Sequence, residues 1–218
     1  MVACHDQYRS EGRVRRALIT FLIVSGFGGS AQAAHFYSLN VSHDGNQYTV
    51  SADVHLDAPL PQVYKVLTDY NHLTRINRAI LHSRVLKQID AHTHIVFIES
   101  RVCVLFFCNN IQETQQVVEL TPQDIVAQVI PQKSNVKMGS SSWHLDPEDG
   151  GTRMHWQMTI APDFWIPPLI GPALVEGEMR AQGQYTAEGV EKLARERAHL
   201  PPMKAAVTHA PPAQTKVP

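Results

Sequence analysis

The sequence predicts an α+β fold: an antiparallel sheet with two short helices after its first strands and a long helix towards the C-terminus. Two observations carry this. Between Leu81 and Ile160, β-branched and aromatic runs alternate with polar turns about every ten residues, the rhythm of an antiparallel meander. From Pro172 to Ala198 the period becomes helical. Val175, Met179, Thr186, Val190 and Leu193 form one stripe, and Glu188, Glu191, Lys192, Arg195 and Glu196 oppose it.

At 218 residues and 44% hydrophobic content, the chain is long enough for one well-buried core and short for two. One domain over residues 34–199 is expected, with flanking segments of a different character. Arg13, Arg15 and Arg16 precede a short apolar run from Ala17 to Gly28, and Ala31-Gln32-Ala33 has the small-x-small form that signal peptidase cleaves. Residues 1–33 therefore read as a signal peptide, and the expected location is periplasmic or secreted. A membrane anchor is the alternative, but the run is shorter than the ~20 residues that span a bilayer. Residues 200–218, with Pro201, Pro202, Pro211, Pro212 and Pro218, read as a disordered tail.

Without its first 33 residues the chain carries 15 basic and 18 acidic side chains, a net of −3. That balance gives no electrostatic reason to expect nucleic acid as a partner. Only Cys103 and Cys108 remain after the signal. In an oxidising compartment a disulfide is the natural reading, with a tight reversal at Leu105 and Phe106 bringing the pair together. Free buried thiols are the alternative.

The elements follow in order. Phe36 to Leu56 reads as a hairpin turning at Asp44-Gly45, with Val50, Ala52, Val54 and Leu56 on one buried face. An amphipathic helix then carries Val63, Val66, Leu67 and Tyr70, with Asp57 or a neighbour as its cap. A further helical turn is expected over His72 to Asn77. Strands are expected near 81–89, 94–103, 108–119, 124–130, 137–146 and 152–161. In the last of these Met154, Trp156, Met158 and Ile160 face one way while Arg153, His155, Gln157 and Thr159 face the other. Trp143 and Leu145 share a face of its partner, and Asp146 to Gly151 is the connecting turn. The loop Phe164-Trp165-Ile166, between prolines, is too proline-rich for a helix or a central strand. Gly177, Gly183 and Gly189 inside the long helix each cost about 1 kcal/mol relative to Ala, and suggest close approach to a sheet, or a bend.

This order resembles the START-like (SRPBCC) superfamily of polyketide cyclase/dehydrase and lipid transport proteins, nearest its coenzyme Q-binding branch. The resemblance lies in the small-helix region from Val63 to Asn77 running into Ser83-Arg84-Val85, in Gly151-Thr152-Arg153, and in Phe164 to Pro168 before the terminal helix. It covers about residues 38–198 and implies a helix-grip fold, in which a curved sheet wraps a long helix around a cavity.

The chemistry-bearing residues are fragments. His92 with His94, or His144 with His155, offer no spacing that fixes the three or four ligands zinc wants, so no metal and no cofactor are expected, and no catalytic residue is assigned. Glu99 and Arg101, with Glu113 and Glu119 on the neighbouring strand, are read as cross-strand partners on the outer face; a buried headgroup site is the alternative.

The resemblance implies a binding or carrier protein holding a hydrophobic small molecule, a lipid, quinone or polyketide, and the N-terminal segment read as a signal makes it an exported one. Trp143, Met154, Trp156, Met158, Met179 and Tyr185 would line its cavity. Phe164, Trp165 and Ile166 would form a lid or a membrane-touching loop with peripheral membrane contact. The alternatives are an aromatase or cyclase-like enzyme using the same cavity, and an interaction module with a filled core. Composition does not address the oligomeric state.

Overall fold

The computed structural model describes residues 34–104, 107–163 and 171–201. The segment read as a signal peptide, the Phe164-Trp165-Ile166 stretch and the residues beyond 201 lie outside the described residues.

Eight strands form one antiparallel sheet: β1 (His35–Asp44), β2 (Gln47–Leu56), β3 (Ile80–Gln88), β4 (Thr93–Val104), β5 (Phe107–Glu119), β6 (Asp124–Val129), β7 (Val136–Glu148) and β8 (Gly151–Pro162). Helix α1 (Leu60–Leu67) and a 3-10 turn at Leu73–Arg75 follow β2, and helix α2 (Gly171–Arg197) follows β8. The spatial order is β1-β2-β8-β7-β6-β5-β4-β3. The first hairpin therefore docks on the last meander strand, and the eight strands curve as one surface around α2.

The alternation read in the sequence explains this docking. Val50 opposes Met158, Ala52 opposes Trp156 and Val54 opposes Met154 across β2 and β8. Val50, Ala52, Val54 and Leu56 are all buried, so the inner faces of hairpin and meander merge into one apolar wall. Against it pack Ala187, Val190, Leu193 and Ala194 from the C-terminal half of α2, and Val63 and Val66 from α1. Removing so much apolar surface from water is the main force holding the helices to the sheet.

Three local expectations need correction. Asp57 does not cap α1: the cap position is Pro59, which makes no side-chain capping bond, and the Asp57 carboxylate instead accepts from Arg195. The turn between β7 and β8 is shorter than expected, only Asp149-Gly150, both with positive φ, because the strands zip through Asp146 and Pro147. Glu191 is not on the solvent face of α2: it is 1% exposed and accepts the Asp57 backbone N–H at 2.7 Å. The chain entering α1 covers that side of the helix. Burial pushes the Glu191 carboxyl above its ordinary pKa.

The glycines of α2 differ in what they serve. A Cβ on Gly189 would fall 1.8 Å from the Ile76 carbonyl oxygen, so this position lets the helix touch the turn after α1 rather than the sheet. A Cβ on Gly183 would meet Leu39 at 3.3 Å and Trp156 at 3.5 Å, a close approach to the sheet. At Gly177 nothing lies within 4 Å.

Candidate functional site

The C-terminal half of α2 fills the concave side of the sheet, but its N-terminal half does not. Between that half and strands β4 to β8 lies a cavity of about 530 Å³, within the range that holds a small organic ligand. Its walls are mostly apolar, with Ile98 and Val102 from β4, Ile111 and Val117 from β5, and Ile125 from β6 among them.

Of the six residues expected to line it, Trp143, Trp156, Met158 and Met179 do so. Met154 shares their face but sits two residues before Trp156, near the start of β8 and under the filled half of α2. It is 1% exposed and packed in the core, and is not part of the cavity wall. Tyr185 is 49% exposed, since α2 turns it away from the sheet. Cys103 and Cys108, directly opposed on β4 and β5, form a disulfide, and their chain neighbours Val102 and Asn109 line the cavity.

The outer-face reading holds for Glu99 and Arg101. Glu99 accepts from Asn110 and Gln112, and Arg101 donates to Asn110. It fails for Glu113 and Glu119. In the β4–β5 ladder Glu99 opposes Gln112, whereas Glu113 opposes Ile98, so the face carrying Glu99 continues through even-numbered residues of β5, and Glu113 and Glu119 point inwards. The register that decides this pairs Cys103 with Cys108 and Ile98 with Glu113.

Glu113 lines the cavity. Its Oε2 accepts from the Gln115 side-chain amide at 3.1 Å. Burial pushes its carboxyl up to about 7 against this single hydrogen bond, which acts the other way. A Cβ on Gly139 would come within 3.3 Å of Glu113 Oε1, so the glycine leaves room for the carboxyl. Two other polar atoms on cavity residues, Trp156 Nε1 and Gln182 Oε1, have no hydrogen-bond partner among the described residues.

Glu119 closes the other end of β5 as a structural acceptor. It accepts the Tyr70 hydroxyl at 2.9 Å and the Tyr64 hydroxyl, and His94 Nε2 lies 3.4 Å from it. Burial first, then the Glu119 charge, pushes the Tyr64 hydroxyl up to about 12 and raises Tyr70 as well.

His144 and His155 oppose each other across β7 and β8 with their rings stacked at 6.3 Å, but they bring no metal set with them. His144 lies on the convex face between Asp124 at 2.6 Å and Asp146 at 3.2 Å, and His155 lies 3.4 Å from Asp53. Among the described residues no three metal-type side chains converge.

A family model described as polyketide cyclase / dehydrase and lipid transport matches residues 47–197. Comparison with curated protein sequences finds no match. Among solved structures, the Zhui aromatase/cyclase from Streptomyces sp. R1128 superposes with a TM-score of 0.57 at 15% identity, covering 70% of this chain and 96% of that one. A protein from Thermus thermophilus gives 0.57 at 15% identity, covering 69% and 99%. A START superfamily protein from Mycobacterium smegmatis gives 0.56 at 11% identity, covering 68% and 98%. At such identities the likeness is one of fold. Among the described residues no helix is long and apolar enough to cross a membrane.

Proposed function

The chain belongs to the polyketide cyclase / dehydrase and lipid transport family, and on that premise we propose that it is an exported binding or carrier protein for one hydrophobic small molecule, a lipid, quinone or polyketide. The observation that carries this reading is the apolar cavity of about 530 Å³ under the first half of α2. A protein gains nothing in stability from leaving such a space empty, since each missing contact forfeits dispersion energy. In this reading Trp143, Trp156, Met158 and Met179 form the ligand wall. The Cys103–Cys108 disulfide supports export, because such bonds persist in oxidising compartments. A quinone belongs among the candidates through the resemblance to the coenzyme Q-binding branch.

A second reading, an aromatase or cyclase-like enzyme, is favoured by one observation. Glu113, a cavity carboxyl held near neutrality, has the pKa that general acid–base work requires. The filled-core interaction module is disfavoured by the cavity itself.

Native mass spectrometry with lipid extraction of the protein purified from its own periplasm tests the first reading. An apolar compound co-purifying in near-equal amount is expected. A protein that arrives empty and also takes up neither lipids nor quinones would overturn it.

A further inference from the structure

The charged groups of the cavity are all of one sign. Glu113 of β5 and Glu178 of α2 line it, and among the described residues no Lys, Arg or His does. Glu178 already accepts the Gln182 amide at 2.7 Å. Glu113 stands in the strand wall and, among the described residues, accepts only the Gln115 amide, on one oxygen; its other oxygen has room because residue 139 lacks a side chain.

We propose that the ligand of this cavity is an apolar molecule bearing one basic amine, with its ammonium seated on the Glu113 carboxylate. This rests on the carrier reading and deepens it by naming the ligand's polar end. A buried carboxylate without a cation is costly, and burial accordingly raises the Glu113 carboxyl; an ammonium brought in by the ligand is the counterion that no described cavity residue supplies. A fatty acid or phosphate-bearing lipid meets the opposite situation. Its anion would enter a space whose described lining holds two carboxyls and no base, and like charges at close range in a low dielectric exclude each other strongly.

The test is displacement of Nile red, an uncharged fluorescent probe, at pH 7.5 by three compounds with the same tail, each below its micellar concentration: dodecylamine, dodecanol and dodecanoate. Dodecylamine is expected to bind most tightly and dodecanoate least, with a gap of roughly tenfold or more, the scale of a close charge pair. Glu113→Gln is expected to weaken dodecylamine by a similar factor and remove its lead over dodecanol. If dodecanoate matches or exceeds dodecylamine in the unaltered protein, the proposal is overturned whatever the variant does. If dodecanol displaces the probe and dodecylamine does no better, the amine assignment falls while the carrier reading stands. If neither Nile red nor any of the three binds, the carrier reading falls and takes the proposal with it.

Discussion

A Cβ on Gly139 would stand 2.6 Å from Val129 Cγ2 and 3.3 Å from Glu113 Oε1, so Val129 of β6 and, beside it, the carboxyl of β5 take up the space that a side chain on β7 would need. This is how a strand wall of otherwise apolar character holds one acid.

That acid makes stability depend on pH. Burial holds Glu113 at about 7 in the folded chain, above the ordinary 4.5, so the folded state keeps its proton where the unfolded chain has released it. The stability linked to this group is complete below pH 4.5 and declines as the pH rises to about 7. The full difference is at most about 3 kcal/mol. Glu191 is shifted in the same direction, so the unaltered protein alone does not isolate Glu113. Comparison with Glu113→Gln by urea denaturation at pH 4.5, 6 and 8 does. The variant should gain on the unaltered protein with rising pH and be the more stable at pH 8; parallel pH profiles would refute this.

Two glycines of α2 should respond oppositely to alanine. Gly189→Ala places a methyl 1.8 Å from the Ile76 carbonyl oxygen, where backbone rather than a flexible side chain must move, and about 3 kcal/mol or more should be lost. Gly177→Ala meets nothing within 4 Å and should gain up to about 1 kcal/mol from helix propensity. Thermal melts of both decide it, and a neutral Gly189→Ala would show that α2 does not press on that turn.

The tyrosines beside Glu119 should ionise late. Tyr64 is expected to titrate at about 12 and Tyr70 also above the ordinary 10, because burial and the Glu119 charge both oppose a phenolate. In a phenolate absorbance titration, Glu119→Gln should move part of the late-titrating signal back towards 10. An unchanged curve would mean that burial alone sets the shift.

Reducing the Cys103–Cys108 bridge should destabilise the protein modestly. The cysteines are only five positions apart, and so short a loop restrains the unfolded chain by about 2 kcal/mol. Denaturation with and without a thiol reductant measures this, with the Cys103→Ser/Cys108→Ser double variant, itself insensitive to reductant, matching the reduced protein.

Local patterns in the sequence determined the elements and, for the apolar runs, which residues face inwards. The alternation in β2 and β8 and the helical stripe of α2 each put enough apolar surface on one side that only one orientation buries it. Strand boundaries fell within about two residues for the same reason, because the polar turns that end each run are themselves local. What only the tertiary structure decided is what each face meets. Glu191 has the sequence context of a solvent-facing helix residue, yet the chain entering α1 covers it. Met154 and Met158 share one face, but α2 fills the space over the first and leaves the second at an open cavity. Glu113 became a cavity group through the register of β4 on β5, a pairing between chain segments that the composition of either strand does not contain. Periodicity belongs to a single segment and can be read from it; burial and cavity shape belong to the packing of segments far apart in sequence, and are decided only where those segments meet.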